Sequence, residues 1–124
     1  MIDESRKIWN APDLRVLPTC VRVPVERAHA QSIIIDVDHP INVDDVRTCL
    51  ITHGIQTLVT GEALTPRDTA GSDDVVVGRI RVDPSTNGHR IILWICCDQI
   101  RKGAALNAIQ IMDHLESIRS LEHA

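Results

Sequence analysis

The sequence predicts an α+β domain, a mostly antiparallel sheet with helices on one side, and three observations carry that expectation. Two runs rich in β-branched and apolar residues, Val75–Val82 and Arg90–Cys97, flank a turn over residues 83–88 that contains Asn87-Gly88. An Asn-Gly pair tolerates the positive φ of a tight hairpin, so the two runs read as adjacent antiparallel strands. Asn42 followed by Asp44 and Asp45 has the chemistry of a helix start, because the Asn side chain accepts a free backbone N–H and the acids complement the positive helix end. Ala104, Ala108, Ile111, Leu115 and Ile118 recur at helical spacing, flanked by Ala105, Ile109 and Met112, which predicts a long helix over residues 102–120 with a broad apolar stripe.

The remaining elements follow in order. Residues 3–10 read as a helix stopped by Asn10-Ala11-Pro12, since proline cannot continue a helix and biases its predecessor toward extended backbone. Residues 14–25 read as a strand, with Val21, Val23 and Val25 on one face and Cys20, Arg22 and Pro24 on the other. A second strand is expected over residues 32–38. The helix opened by Asn42 has Val43, Val46 and Leu50 as its apolar stripe and ends at Gly54. A short strand around residues 57–60 leads into a loop, residues 61–74, that contains Pro66 and Gly71.

Composition narrows the function classes. The chain has 124 residues, a formal net charge of −4, 44% hydrophobic residues and four cysteines. That length suits one domain and the mixed charge is unlike a disordered tail. The longest strongly apolar run, residues 91–97, is far short of the ~20 residues a membrane-spanning helix needs. Met1-Ile2-Asp3-Glu4 has neither the basic nor the apolar region of a secretory signal, so a cytoplasmic protein is expected. Mild acidity with no Lys/Arg cluster argues against nucleic-acid binding. Cys20, Cys49, Cys96 and Cys97 form no C-x-x-C, which suggests neither a metal site nor a disulfide framework, and Cys96 and Cys97 read as structural thiols of a strand. The six glycines are scattered singly, so no dinucleotide-binding turn is present.

Three blocks carry a family resemblance. Cys20-Val21-Arg22-Val23-Pro24-Val25 with His29 beyond it, then Val77-Gly78-Arg79-Ile80-Arg81, then Asp98-Gln99-Ile100-Arg101-Lys102-Gly103-Ala104-Ala105-Leu106-Asn107-Ala108, closely resemble the C-terminal part of aspartate-semialdehyde dehydrogenases. The N-acetyl-glutamyl-phosphate reductases share a similar helix start but not the Arg-to-His block, and match less well. The resemblance implies a glyceraldehyde-3-phosphate-dehydrogenase-like C-terminal domain. Residues 1–101 would form the dimerisation and substrate part, and residues 102–124 a helix that packs on the cofactor domain. It also implies NADP-dependent reductive dephosphorylation of aspartyl phosphate to the semialdehyde, a step of amino-acid biosynthesis.

Site residues follow position by position. Arg22 matches the arginine that holds the substrate carboxylate, a role a planar guanidinium suits through two parallel hydrogen bonds. His29 matches the general acid/base, and an imidazole pKa near ~6.5 fits that work. The residue after it is Ala30, where the family usually has serine. His39, His53, His89, His114 and His123 are read as surface residues. Gln99, which on its own could be an unliganded loop amide, falls at a position that contacts the nicotinamide cofactor.

The nucleophilic cysteine, the Gly-rich cofactor domain and the Glu/Lys substrate motif are not matched here, so the chain is expected to be a C-terminal fragment, inactive alone. Two readings stay open: an enzyme component that works only with an N-terminal partner supplying the cofactor domain and nucleophile, and a non-catalytic dimerisation module derived from that domain; self-association as a homodimer is expected.

Overall fold

A computed structural model describes residues 1–59 and 61–122, with side chains through residue 121. Four strands form one sheet in the order β1-β4-β3-β2. Strands β1 (His29–Asp36), β3 (Val75–Val82) and β4 (Arg90–Cys97) pair antiparallel, with β4 in the centre, and the two-residue β2 (Gln56–Thr57) pairs parallel to β3. Helix α1 (Ile2–Ile8) opens the chain, α2 (Val43–Thr52) joins β1 to β2, α3 (Pro66–Thr69) interrupts the following loop and α4 (Leu106–Glu122) closes it.

Side-chain alternation assigns the two faces of the sheet. Val77, Ile91, Leu93 and Ile95 point toward α2, where Val43, Val46 and Leu50 complete the main core. Val76 and Cys96 point the other way and are covered by Leu58 and Leu64 from the loop before β3, beside Ala30 and Trp94. An extra residue between Gly78 and Arg81 makes a β-bulge, with Arg79 at φ +53°. The bulge restores the inward direction one residue late, so Ile80 is buried in the α2 core and Arg79 is exposed.

The local chemistry of α2 is as the sequence predicts. Asn42 Oδ1 accepts from the Asp45 N–H at 2.8 Å, and Gly54 ends the helix at φ +73°. The β3–β4 connection is a short 3-10 turn, Pro84–Thr86, whose cap Asp83 accepts from the Ser85 N–H at 2.9 Å; Asn87 and Gly88 then take φ +51° and +87°.

Three expectations are corrected. Residues 14–25 are not a strand. They run extended but join no ladder, leaving Leu17 94% and Val21 73% exposed. The alternation was real, but Pro18 and Pro24 lack N–H donors, and the Val25 N–H turns back to the Val23 carbonyl at 2.8 Å around Pro24. The long C-terminal helix begins with a π turn, Arg101–Ala105, in place of a regular first turn; as its missing cover implies, its apolar residues Ile109, Ile111, Met112, Leu115 and Ile118 are exposed among the described residues. The expected strand near residues 57–60 is confined to Gln56–Thr57, and residue 60 lies outside the described residues.

Candidate functional site

The three candidate residues stand on three different kinds of backbone. Arg22 lies on the unpaired extended segment, exposed to solvent. His29 opens β1, opposite Cys97 on β4, and is also exposed. Gln99 follows β4 directly, in the turn that leads to Arg101–Ala105, and its Oε1 is buried without a hydrogen-bond partner among the described residues. The ladder therefore brings the backbones of His29 and residues 97–99 together, since Cys97 is both the rung partner of His29 and two residues before Gln99. Two open concavities, of about 530 and 430 Å³, are lined by residues of 56–76 and of 3–12 respectively. Neither takes in Arg22, His29 or Gln99.

What binds this region together is a pair the sequence did not single out. Asp98 is 0% exposed, and its Oδ2 lies 2.6 Å from Arg27 Nε and accepts from the Gly71 N–H at 2.7 Å. Its Oδ1 accepts from the Ile100 N–H at 3.0 Å. Arg27 approaches as an ion pair, with its Nε–H not aligned for a linear bond. Burial alone would push the Asp98 carboxyl up; the Gly71 and Ile100 donors and the Arg27 charge outweigh it and hold the group below the ordinary carboxylate range. A second ion pair, Arg101 with Asp73, ties the same loop to the π turn. The available signal was position: Arg27 stands two residues before His29, and Asp98 one before Gln99. Nothing in one dimension pairs them.

Between Arg27 and His29, Ala28 is 2% exposed with φ +74°. A left-handed alanine is uncommon and costs roughly 1–2 kcal/mol, so the surrounding structure has to impose it.

The other histidines divide. His39, His53 and His114 are exposed, whereas His89 is half-buried with Nδ1 3.0 Å from the Val37 carbonyl oxygen, a link between β4 and the end of β1 rather than a surface group. His123 lies outside the described residues. Cys96 is buried and Cys97 half-buried, and burial raises both thiols above their usual range. That is the setting of inert strand thiols.

Gln99 offers an acceptor that a nicotinamide carboxamide N–H can meet once the side chain turns outward, because its Oε1 is enclosed as it stands. A buried amide oxygen with no partner is rare and calls for an N–H donor, which a carboxamide supplies.

Comparison with known proteins places this sheet among the dehydrogenases. A Vibrio cholerae aspartate semialdehyde dehydrogenase II, described as complexed with ASA, superimposes with a TM-score of 0.86 at 41% identity, covering 94% of this chain and 35% of that one. Residues 1–102 match the family described as semialdehyde dehydrogenase, dimerisation domain, and the chain belongs to that family. Among curated relatives, aspartate-semialdehyde dehydrogenases of Prochlorococcus marinus and of Synechocystis are 47% and 45% identical over 93% of this chain. The chain spans about a third of their length, 34% and 35%. No helix among the described residues is long and apolar enough to cross a membrane.

Proposed function

We propose that this chain is the C-terminal catalytic and dimerisation part of a cytoplasmic, NADP-dependent aspartate-semialdehyde dehydrogenase. Residues 1–101 form its substrate part and residues 102–124 a helix that docks on a cofactor domain. The carrying observation is the family match over residues 1–102 together with 47% identity to a relative of that name. The reaction is the reductive dephosphorylation of aspartyl phosphate to aspartate semialdehyde, with hydride supplied by NADPH when bound.

Within it, the Arg22 guanidinium binds the substrate carboxylate through paired N–H donors. Exposure keeps that fork free for a ligand, and no described residue neutralises it. The His29 imidazole holds and returns the proton of the reacting centre at a ring nitrogen. Gln99 Oε1 orients the nicotinamide by accepting from its carboxamide. The nucleophilic cysteine is supplied from outside this segment: Cys96 and Cys97 are shielded with raised thiols, Cys49 is exposed on α2, and the Cys20 thiol, on the segment carrying Arg22, donates to Met1 Sδ rather than to a base among the described residues.

The second reading, a non-catalytic dimerisation module, draws on the exposed apolar residues of α4, a contiguous surface that calls for a partner. Self-association through that helix belongs to the isolated chain, where no cofactor domain covers the stripe, and two-fold dimers are the commonest assembly.

The test is a chimera in which this chain replaces the matching third of the Prochlorococcus marinus relative. Phosphate-dependent reduction of NADP with aspartate semialdehyde is expected from the chimera and not from the isolated chain. A folded, inactive chimera would leave the dimerisation reading in its place.

A further inference from the structure

We propose that Arg27 and Asp98 are positioning residues of this site, and that their ion pair fixes the segment presenting His29 to the turn presenting Gln99. The inference rests on the reading that His29 and Gln99 serve one site.

Asp98 collects contacts from three separate stretches of chain: Arg27 ahead of β1, Gly71 in the loop before β3, and Ile100 at the entry to the π turn. A fully buried carboxylate is costly unless paired and hydrogen-bonded, so these stretches cannot separate without exposing or orphaning it. With every contact directed at a charged acceptor that the Gly71 and Ile100 donors and the Arg27 charge keep ionised against its burial, Asp98 has no proton to give and faces no solvent. It acts through its neighbours.

The β1–β4 ladder already sets the His29 backbone opposite Cys97. What the ladder does not set is the chain before it. Ala28 sits at φ +74°, a conformation an L-residue leaves when nothing holds it, and it is held on one side by the first rung and on the other by the Arg27 side chain. Releasing Arg27 lets the bend at Ala28 relax. That re-aims the extended segment carrying Arg22 and loosens the rung carrying His29. The same release removes the charge facing the Asp98 carboxylate and leaves it to its two backbone donors, and its backbone is contiguous with Gln99. One ion pair thus couples the acid/base side of the site to its cofactor side.

Arg27 is partly exposed, and Arg27→Met leaves Asp98 its Gly71 and Ile100 donors, so a folded though less stable protein remains to measure. In the isotopically labelled chain, Arg27→Met is expected to move the NMR signals of both the His29 imidazole and the Gln99 side-chain amide. The Val77 and Leu93 methyl signals should hold their places, and Arg27→Lys, which keeps the charge, should restore most of the shift. Asp98→Asn should give the same pattern where it folds. Unmoved His29 and Gln99 signals, or core methyls moving equally, would overturn the positioning role. In the chimera, Arg27→Met should lower kcat by up to about 10²-fold with KM little changed, as misplacement of reacting groups does, and Arg27→Lys should recover part of the loss. Because the NMR arm needs no substrate, an inactive chimera with an intact NMR response refutes the functional reading alone. An active chimera with no response refutes only the coupling.

Discussion

The Trp94 indole Nε1–H donates to the Leu64 carbonyl oxygen at 2.9 Å, and that bond fastens the loop before β3 to the central strand of the sheet. The loop thereby covers Val76 and Cys96, which would otherwise face solvent on the side opposite α2. Trp94→Phe keeps the ring's bulk and removes the donor. Urea denaturation should show a loss of about 1 kcal/mol, the net worth of one partly buried hydrogen bond. No change would mean that the loop is held by apolar packing alone.

The bend at Ala28 separates two small changes by the size of their effect. Ala28→Gly relieves a left-handed alanine but adds chain entropy to the unfolded state, and should stay within about 1 kcal/mol of the parent. Ala28→Val places a β-branched residue at positive φ in a buried spot and should cost about 2 kcal/mol or more. Thermal unfolding of the two variants side by side checks the ordering.

Acid sensitivity follows from the carboxylates. Asp98, Asp36, Asp73 and Asp83 are all held below their ordinary range in the folded chain. The unfolded chain, with Asp near about 3.9, then binds more protons at that pH than the folded one. Stability is expected to be full above that value and to fall as pH drops through it toward the folded-state values. Asp98→Asn should lower stability at neutral pH and flatten the acid slope. An unchanged slope would show that the exposed pairs carry the effect.

Kinetic roles separate Arg22 from His29 in the chimera. His29→Ala should lose about 10² to 10⁴-fold in turnover with a modest change in KM. Arg22→Ala should mainly raise KM, since a charge-assisted carboxylate contact operates in the ground state as well. Equal, small effects on both would remove the assigned roles.

Deleting the chain beyond residue 106 tests the last helix. No residue of 107–121 is buried, so unfolding of the remaining sheet should shift by no more than about 0.5 kcal/mol. Light scattering should show self-association lost with the helix. Association that persists would place the contact on the sheet or the extended segment instead.

Much of the fold was legible in one dimension because its determinants are local. Val75–Val82 and Arg90–Cys97 are strands because β-branched residues favour a pleated surface, and Asn87-Gly88 can turn the chain between them. Helix α2 was set by Asn42 at its cap and Gly54 at its end, both choices of backbone chemistry within one turn. The blocks around Arg22, His29 and Gln99 likewise pointed to the family that residues 1–102 match.

What only the tertiary structure decided depends on partners distant in sequence. Residues 14–25 alternate like a strand, yet a strand exists only where a neighbour accepts its hydrogen bonds, and the prolines withhold donors from that segment. The apolar stripe of α4 is plain in its spacing, while its exposure depends on what the rest of the chain leaves uncovered. Asp98 and Arg27 meet because the β1–β4 ladder brings residues 27–29 alongside residues 97–99, and only burial turns that meeting into a constraint. Local chemistry is written in neighbouring residues, whereas the cost of a buried charge and the choice of its partner are set by the packed fold.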